Sequence, residues 1–250
     1  MALEDIKKIG LLGGGVMGGG IAQTLILAGY PVLIRDLNDE INDATRDTIY
    51  DGKWGIKRAV ERGKVGFDDA TRAMALVSFT TKAEDLADCD IIIEAIPEKL
   101  ELKQQAFKDL DAVAKPSAIF ASNTSGFAIA DLARDVSDAR KAKFVGMHYS
   151  NPVPTMKMLE VISMPETSED TTETAKALGE ASGKVVSMVK DAPGTYGFLL
   201  NRIFGAARRE AQAIVDAGIA TPEDIDKAMM TGRNWPSGFF GARGGIGKQW

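Results

Sequence analysis

Residues 8–18, Lys8-Ile9-Gly10-Leu11-Leu12-Gly13-Gly14-Gly15-Val16-Met17-Gly18, carry an apolar strand straight into a G-x-G-x-x-G turn that opens a helix. Gly13 allows the tight bend, Gly15 lets the backbone approach a pyrophosphate, and Gly18 lets the new helix pack close to the sheet. The helix N-terminus then turns N–H groups and a partial positive charge toward phosphates. Such turns also arise for packing alone, so the flanking sequence decides between the two. The next apolar run ends on Asp36, about 20 residues further on, where a carboxylate can hold ribose hydroxyls. That carboxylate repels a 2′-phosphate and favours NAD over NADP, while neighbouring Arg35 weakens the preference. The loop is expected to bind a dinucleotide.

Outward from this turn, short apolar runs alternate with longer helical ones as far as Lys190. Strands are expected at residues 8–12, 32–36, 76–79, 90–95, 118–121, 144–147, 158–163 and 184–189. Several are continuous Val/Ile/Leu runs, as strands covered on both faces require. Right-handed crossovers then give an α/β, Rossmann-type, doubly wound and mainly parallel sheet. Residues 38–63 and 67–75 read as helical on either side of Gly63-Lys64-Val65-Gly66, a helical hairpin projecting from the sheet.

Beyond Lys190 the strand pattern stops. Residues 198–217 have helical spacing and end at Gly218, a natural C-cap. Thr221-Pro222-Glu223-Asp224 supplies an N-cap, a first-turn proline and two acids for the helix dipole. The glycine-rich stretch 235–250 shows no clear period. A break near Asp191-Ala192-Pro193-Gly194 divides the chain into an NAD-binding domain, residues 1–190 with its arm at about 38–75, and a short all-helical domain, residues 191–250.

Composition narrows the functional classes. The chain has 250 residues, 45% of them hydrophobic, enough for one large domain and a smaller appendage. A net charge of -5 argues against a broad basic face for nucleic acid. One cysteine, Cys89, cannot build a disulfide framework, and one histidine cannot build a multi-histidine metal site. Residues 1–8 lack the apolar run of a signal peptide, and no stretch reaches the apolar length of a membrane span. A cytoplasmic protein is expected.

That one histidine, His148, falls at the C-terminal end of an expected strand, the sheet edge where ligands bind in open parallel sheets. Asn151-Pro152-Val153-Pro154 follows as a stiff turn, and Glu160 sits among Met158, Leu159, Val161 and Ile162 in the next strand. A carboxylate in an apolar strand needs a partner. If the chain reverses at the prolines, Glu160 can accept one ring N–H of His148 and make the other nitrogen a general base. Spacing leaves a second arrangement open, a surface Glu160 beside a structural histidine.

Taken together, these pieces resemble the L-3-hydroxyacyl-CoA dehydrogenases, including the 3-hydroxybutyryl-CoA dehydrogenases. The resemblance rests on residues 9–18, Ile93-Glu94-Ala95-Ile96-Pro97-Glu98 with Lys103, Ser122-Asn123-Thr124-Ser125, and Gly146-Met147-His148-Tyr149-Ser150-Asn151-Pro152-Val153-Pro154. It continues through Glu160-Val161-Ile162, Lys190-Asp191-Ala192-Pro193-Gly194, Asn201-Arg202 and Pro222-Glu223-Asp224-Ile225-Asp226. It implies reversible, NAD-dependent oxidation of the 3-hydroxyl of a (3S)-3-hydroxyacyl-CoA, with His148 as base, Glu160 as its partner, and Ser125 and Asn201 at the reacting oxygen. Gly13, Gly15, Val16, Met17, Gly18, Asp36, Ala95, Ile96, Glu98, Lys103, Ser122 and Asn123 would serve the cofactor. Ser125, Asn151, Lys57 and Arg58 would serve the substrate. Lys53, Lys57, Arg58, Arg62 and Lys64 on the arm are candidate contacts for CoA phosphates, or else an ordinary solvated helix face. A homodimer is implied as well.

The sequence departs from the family pattern in places. Tyr149-Ser150 stands where two aromatic residues are usual, Gly126 replaces a common second serine, and Thr195-Tyr196-Gly197 reads as an insertion that loosens the register of Asn201. The family pattern continues past this C-terminus with helices expected to help form the dimer and close the substrate cleft. Two other functions fit the same motifs. A dehydrogenase of a free hydroxy acid or sugar acid such as gulonate would show no dependence on a CoA thioester. A non-catalytic NAD-binding module would bind NAD without turnover.

Overall fold

A computed structural model describes residues 3–248; Met1, Ala2, Gln249 and Trp250, at the ends of the two terminal stretches read above, lie outside the described residues. The chain forms two compact units, one reaching Phe198 and the other starting at Leu199.

In the first unit the order is β1 (Ile9–Leu12), α1 (Val16–Leu27), β2 (Val32–Arg35), α2 (Asp39–Asp51), α3 (Ile56–Glu61), α4 (Phe67–Met74) and β3 (Val77–Thr80). Then come β4 (Ile91–Glu94), α5 (Leu100–Val113), β5 (Ile119–Ser122), α6 (Ile129–Leu132), α7 (Asp138–Lys141), β6 (Phe144–Tyr149), β7 (Met158–Ser163), α8 (Glu169–Ala181) and β8 (Val185–Lys190). The sheet order is β3-β2-β1-β4-β5-β6-β7-β8. All neighbouring strands run parallel except β6 and β7, which are antiparallel. Strand order therefore reverses beside β1, and the glycine turn opens at that switch point.

The continuous apolar runs have the burial that this layering demands. Every residue of β1, β4 and β5 is buried, with Ile9, Leu11, Ile91, Ile93 and Ala121 packed under α1 on one face. On the other face Phe107, Phe120 and Phe144 cluster, the Phe107 and Phe144 rings meeting edge to face at 4.5 Å. Cys89 is buried in this second layer, where desolvation pushes its thiol up to about 12. The outer strand β8 is partly solvated, with Val185 62% exposed.

One expectation needs correcting. Residues 38–63 are not a single helix. Asn38 caps α2 by accepting the N–H of Ile41 at 2.9 Å, but Gly52 and Gly55 are both extended, at ψ 168° and 167°. They end α2 and start α3, because glycine favours leaving the helical basin where a side chain would not pack. The arm thus has three helices before β3.

One ion pair stitches α5 to the sheet. Glu94, at the end of β4, and Lys103, on α5, are 0% and 1% exposed and lie 2.5 Å apart. Ser122 Oγ donates to Glu94 at 2.6 Å and the Ile96 N–H at 2.7 Å, so the carboxylate has three donors. Burial pushes the Glu94 carboxyl above its ordinary range, and the Lys103 ammonium, Ser122 and Ile96 oppose that push.

The second unit holds α9 (Leu199–Asp216) and α10 (Pro222–Gly232). Gly218 closes α9 at φ +67°, its N–H bonding Val215 O at 2.9 Å, and Thr221 caps α10 by accepting the N–H of Asp224 at 3.1 Å. The glycine-rich tail is held by Asp226, which accepts the N–H groups of Phe240 and Ala242 at 3.0 Å each. No helix among the described residues is long and apolar enough to cross a membrane.

Removing one partner of the Glu94–Lys103 pair strands a buried charge. Lys103→Met is expected to lower unfolding free energy in urea by about 3–5 kcal/mol, and adding Glu94→Gln to recover part of that loss. A Lys103→Met protein as stable as the wild type would show that Glu94 carries no buried charge.

Candidate active site

At the switch point the glycine turn takes the shape its sequence foretells. Gly13 sits at φ +101°, where a Cβ would lie 2.8 Å from Ala95 O, and a Cβ at Gly18 would lie 1.9 Å from Gly13 O. Nothing lies within 4 Å of where a Gly15 Cβ would stand, so the space beside that backbone is left for a ligand. Asp36 directs its carboxylate back at the turn, accepting the N–H of Gly14 at 2.6 Å and of Leu37 at 2.7 Å. Val16, Met17, Ala95 and Ile96 line the same cavity of about 690 Å³ with Gly13, Gly15 and Asp36. A helix N-terminus, a glycine cradle and a carboxylate at the ribose position fit NAD.

Lys103, Ser122 and Asn123, expected among the cofactor contacts, lie deeper than that. Lys103 and Ser122 are buried against Glu94, and Asn123 Oδ1 accepts the N–H of Tyr149 at 2.9 Å, fixing the end of β6. The reason is electrostatic: Glu94 has no solvent and consumes the nearest cation and hydroxyl. Glu98 is the group of that set which reaches the surface. Its Oε1 accepts Thr124 Oγ1 at 2.6 Å, the Ser125 N–H at 2.9 Å and Ser125 Oγ at 3.1 Å, and its Oε2 lies 3.1 Å from Lys103. Burial works against its charge, but Thr124, Lys103 and the Ser125 N–H outweigh it and hold the Glu98 carboxyl below the usual range.

The β6–β7 reversal brings the histidine and the glutamate together. His148 and Glu160 face each other in register, with Nδ1 2.7 Å from Oε2. Glu160 is fully buried and His148 is 7% exposed, with the Phe198 ring 5.8 Å from the imidazole. A neutral imidazole that gives its Nδ1 proton to Glu160 keeps Nε2 as a proton acceptor. The turn joining the two strands is tied by Lys184, whose Nζ donates to Val153 O at 2.6 Å and Met156 O at 2.9 Å. Burial brings that ammonium down to about 8.

Other expected residues scatter more widely. Asn151 is exposed beyond the end of β6. Ser125 carries the Tyr196 hydroxyl 3.2 Å from its Oγ. Ser150 leaves its Oγ buried with no hydrogen-bond partner among the described residues. Asn201 lies on α9, in the second unit. On the arm, Lys57 pairs with Asp51 at 2.8 Å and Arg58 with Glu61 at 3.0 Å, both on the surface. Arg58 also lines a cavity of about 300 Å³ with Arg62, Lys64, Lys157 and Lys184.

Several residues at this site carry no warning in the sequence reading. Glu94 had a usable signal, a carboxylate ending a run of isoleucines, and it is answered the way Glu160 is. The contacts of Thr124, Tyr196 and Phe198 had none, because they join residues more than twenty positions apart.

Known proteins place the chain. The family model described as "3-hydroxyacyl-CoA dehydrogenase, NAD binding domain" matches residues 8–192, and "3-hydroxyacyl-CoA dehydrogenase, C-terminal domain" matches residues 197–248. A probable 3-hydroxybutyryl-CoA dehydrogenase from Deinococcus radiodurans is 38% identical, over 92% of this chain and 80% of its own. The human mitochondrial hydroxyacyl-coenzyme A dehydrogenase is 36% identical, over 94% of this chain and 74% of its own. The crystal structure of (S)-3-hydroxybutyryl-CoA dehydrogenase from Ralstonia eutropha superposes with a TM-score of 0.87 at 35% identity, covering 94% of this chain and 80% of that one. Matches of that identity, spanning both halves of the sequence, leave one assignment: the chain belongs to the 3-hydroxyacyl-CoA dehydrogenase family of NAD-dependent oxidoreductases.

Proposed function

We propose that this enzyme oxidises the 3-hydroxyl of a (3S)-3-hydroxyacyl-CoA to the 3-oxoacyl-CoA, and runs the reverse reduction, with His148 and Glu160 as its acid–base pair. The observation that carries the reading is the buried 2.7 Å contact between His148 Nδ1 and Glu160 Oε2. Glu160 holds the ring in one tautomer and stabilises the imidazolium that forms when Nε2 takes the hydroxyl proton. Bound NAD supplies the hydride acceptor. In the reverse direction the imidazolium returns its proton to the oxygen of the ketone.

Ser125 contacts the reacting oxygen in this reading, and Glu98 and Asp36 serve the cofactor at its two ends. The cations Arg58, Arg62 and Lys64 along one cavity support the arm as the part that attracts CoA phosphates. Remote binding of that kind helps hold the reacting atoms in line. The apolar stripe of Leu199, Leu200, Ile203 and Phe204 on α9, with Ile203 70% exposed, supports the expected homodimer. We assign the enzyme to the cytoplasm.

Purified protein should oxidise NADH when given acetoacetyl-CoA, and His148→Gln should cut kcat by about 10²–10⁴-fold while still binding NADH. A folded wild type that binds NADH but does not turn over acetoacetyl-CoA defeats the substrate assignment. Glu160→Gln should also lower kcat, by on the order of 10²-fold, with little change in the KM for NADH; wild-type kcat there would remove Glu160 from the mechanism. Charge reversal at Arg58 and Arg62 should raise the KM for acetoacetyl-CoA by about tenfold and leave that for NADH alone, with the difference shrinking in high salt. Equal effects on both KM values would count against a CoA role for the arm.

A further inference from the structure

The segment at the end of the first unit brings a phenol to Ser125. Tyr196 lays its ring flat over Gly126: a Cβ added at that glycine would fall 2.3 Å from the ring carbon that bears the hydroxyl. The Phe127 ring meets Tyr196 edge-on at 6.0 Å, and the backbone N–H of Gly197 bonds Gly126 O at 3.0 Å. Thr195 fastens the other side of the segment through its hydroxyl, 2.7 Å from Ala192 O. The ring is therefore held in place although it is 64% exposed.

Hydrogen-bond directions follow from the proton count. A serine hydroxyl has one proton, and that of Ser125 goes to Glu98 Oε1 at 3.1 Å. The contact of 3.2 Å between Ser125 Oγ and the Tyr196 hydroxyl then has the phenol as donor. Glu98 Oε1 also accepts from Thr124 Oγ1 and the Ser125 N–H, at 2.6 and 2.9 Å, so the serine proton makes the longest of its three bonds. It is the proton most easily turned toward another acceptor, and Glu98 stays satisfied when it leaves. A donor bond from the phenol pins the serine oxygen during that turn and strengthens its O–H as a donor.

We propose that Tyr196 is the positioning residue of the Ser125 hydroxyl, holding its oxygen in place while its proton passes from Glu98 to the substrate's reacting oxygen. This rests on the reading of Ser125 as the group that contacts that oxygen. Gly126 is part of the same device, since any side chain there evicts the ring.

The test is a double-mutant cycle on the full chain, with kcat and both KM values measured for acetoacetyl-CoA and NADH. Tyr196→Phe keeps the ring and its packing and removes only the hydroxyl, so a purely structural tyrosine would tolerate it. The expected result is a roughly fivefold lower kcat at unchanged KM for NADH, the loss appropriate to one hydrogen bond. In a Ser125→Ala background the same substitution should cost nothing further. Gly126→Ala, which displaces the ring, should reproduce the loss. Wild-type kcat in Tyr196→Phe, or an equal loss with and without Ser125, overturns the inference while the function stands. A folded wild type that turns over no acetoacetyl-CoA overturns both.

Discussion

A carboxylate without water must be answered by protons from the protein, and three such carboxylates organise this molecule. Glu94 and Glu160 have no exposed surface and Asp226 is 2% exposed. Each is met differently. Glu94 takes an ammonium, a hydroxyl and an amide; Glu160 takes an imidazole; Asp226 takes two backbone amides. The answer chosen sets what each can do. Lys103, Ser122 and the Ile96 amide make Glu94 a fixed brace, and backbone amides make Asp226 an anchor for a loop rich in glycine. The imidazole beside Glu160 differs in having a second ring nitrogen, Nε2, that the contact with the carboxylate does not use.

Glu94 and the strand end that carries His148 are linked through the sheet. Glu94 ends β4 and binds Ser122 at the end of β5, and Asn123, the next residue, fixes the end of β6 where His148 stands. Lys103 meanwhile touches both Glu94 and Glu98, and Glu98 receives Thr124 and Ser125. Glu94, Ser122, Glu98, Thr124 and Ser125 thus form one connected set around a single lysine. Buried networks of this kind are rigid, which suits a site that must hold donors at fixed positions.

Two of the departures from the family pattern meet in the fold. Gly126 and the Thr195-Tyr196-Gly197 segment are remote in sequence, yet the ring of Tyr196 fills the space over Gly126. A serine at 126 would collide with the ring, so the glycine makes the ring's position permissible. Ser150, just past the end of β6, leaves its hydroxyl buried with no hydrogen-bond partner among the described residues.

What the sequence determined by itself was periodic or local. Apolar runs bounded by turns located all eight strands to within a residue or two, and the glycine spacing located the tight turn after β1, because those signals arise from neighbours along the chain. The helix break at Gly52 and Gly55 was also local, but two glycines in a polar stretch do not announce whether they interrupt a helix or merely weaken it. For His148 and Glu160 the spacing left two arrangements open. Tertiary structure decided between them, since only the antiparallel return of β7 along β6 sets the two side chains in register. It also buried Lys103 and Ser122 beneath the site and brought Tyr196 onto Ser125. Contacts between residues far apart in the chain depend on how whole elements stack, and no local pattern in the sequence records that.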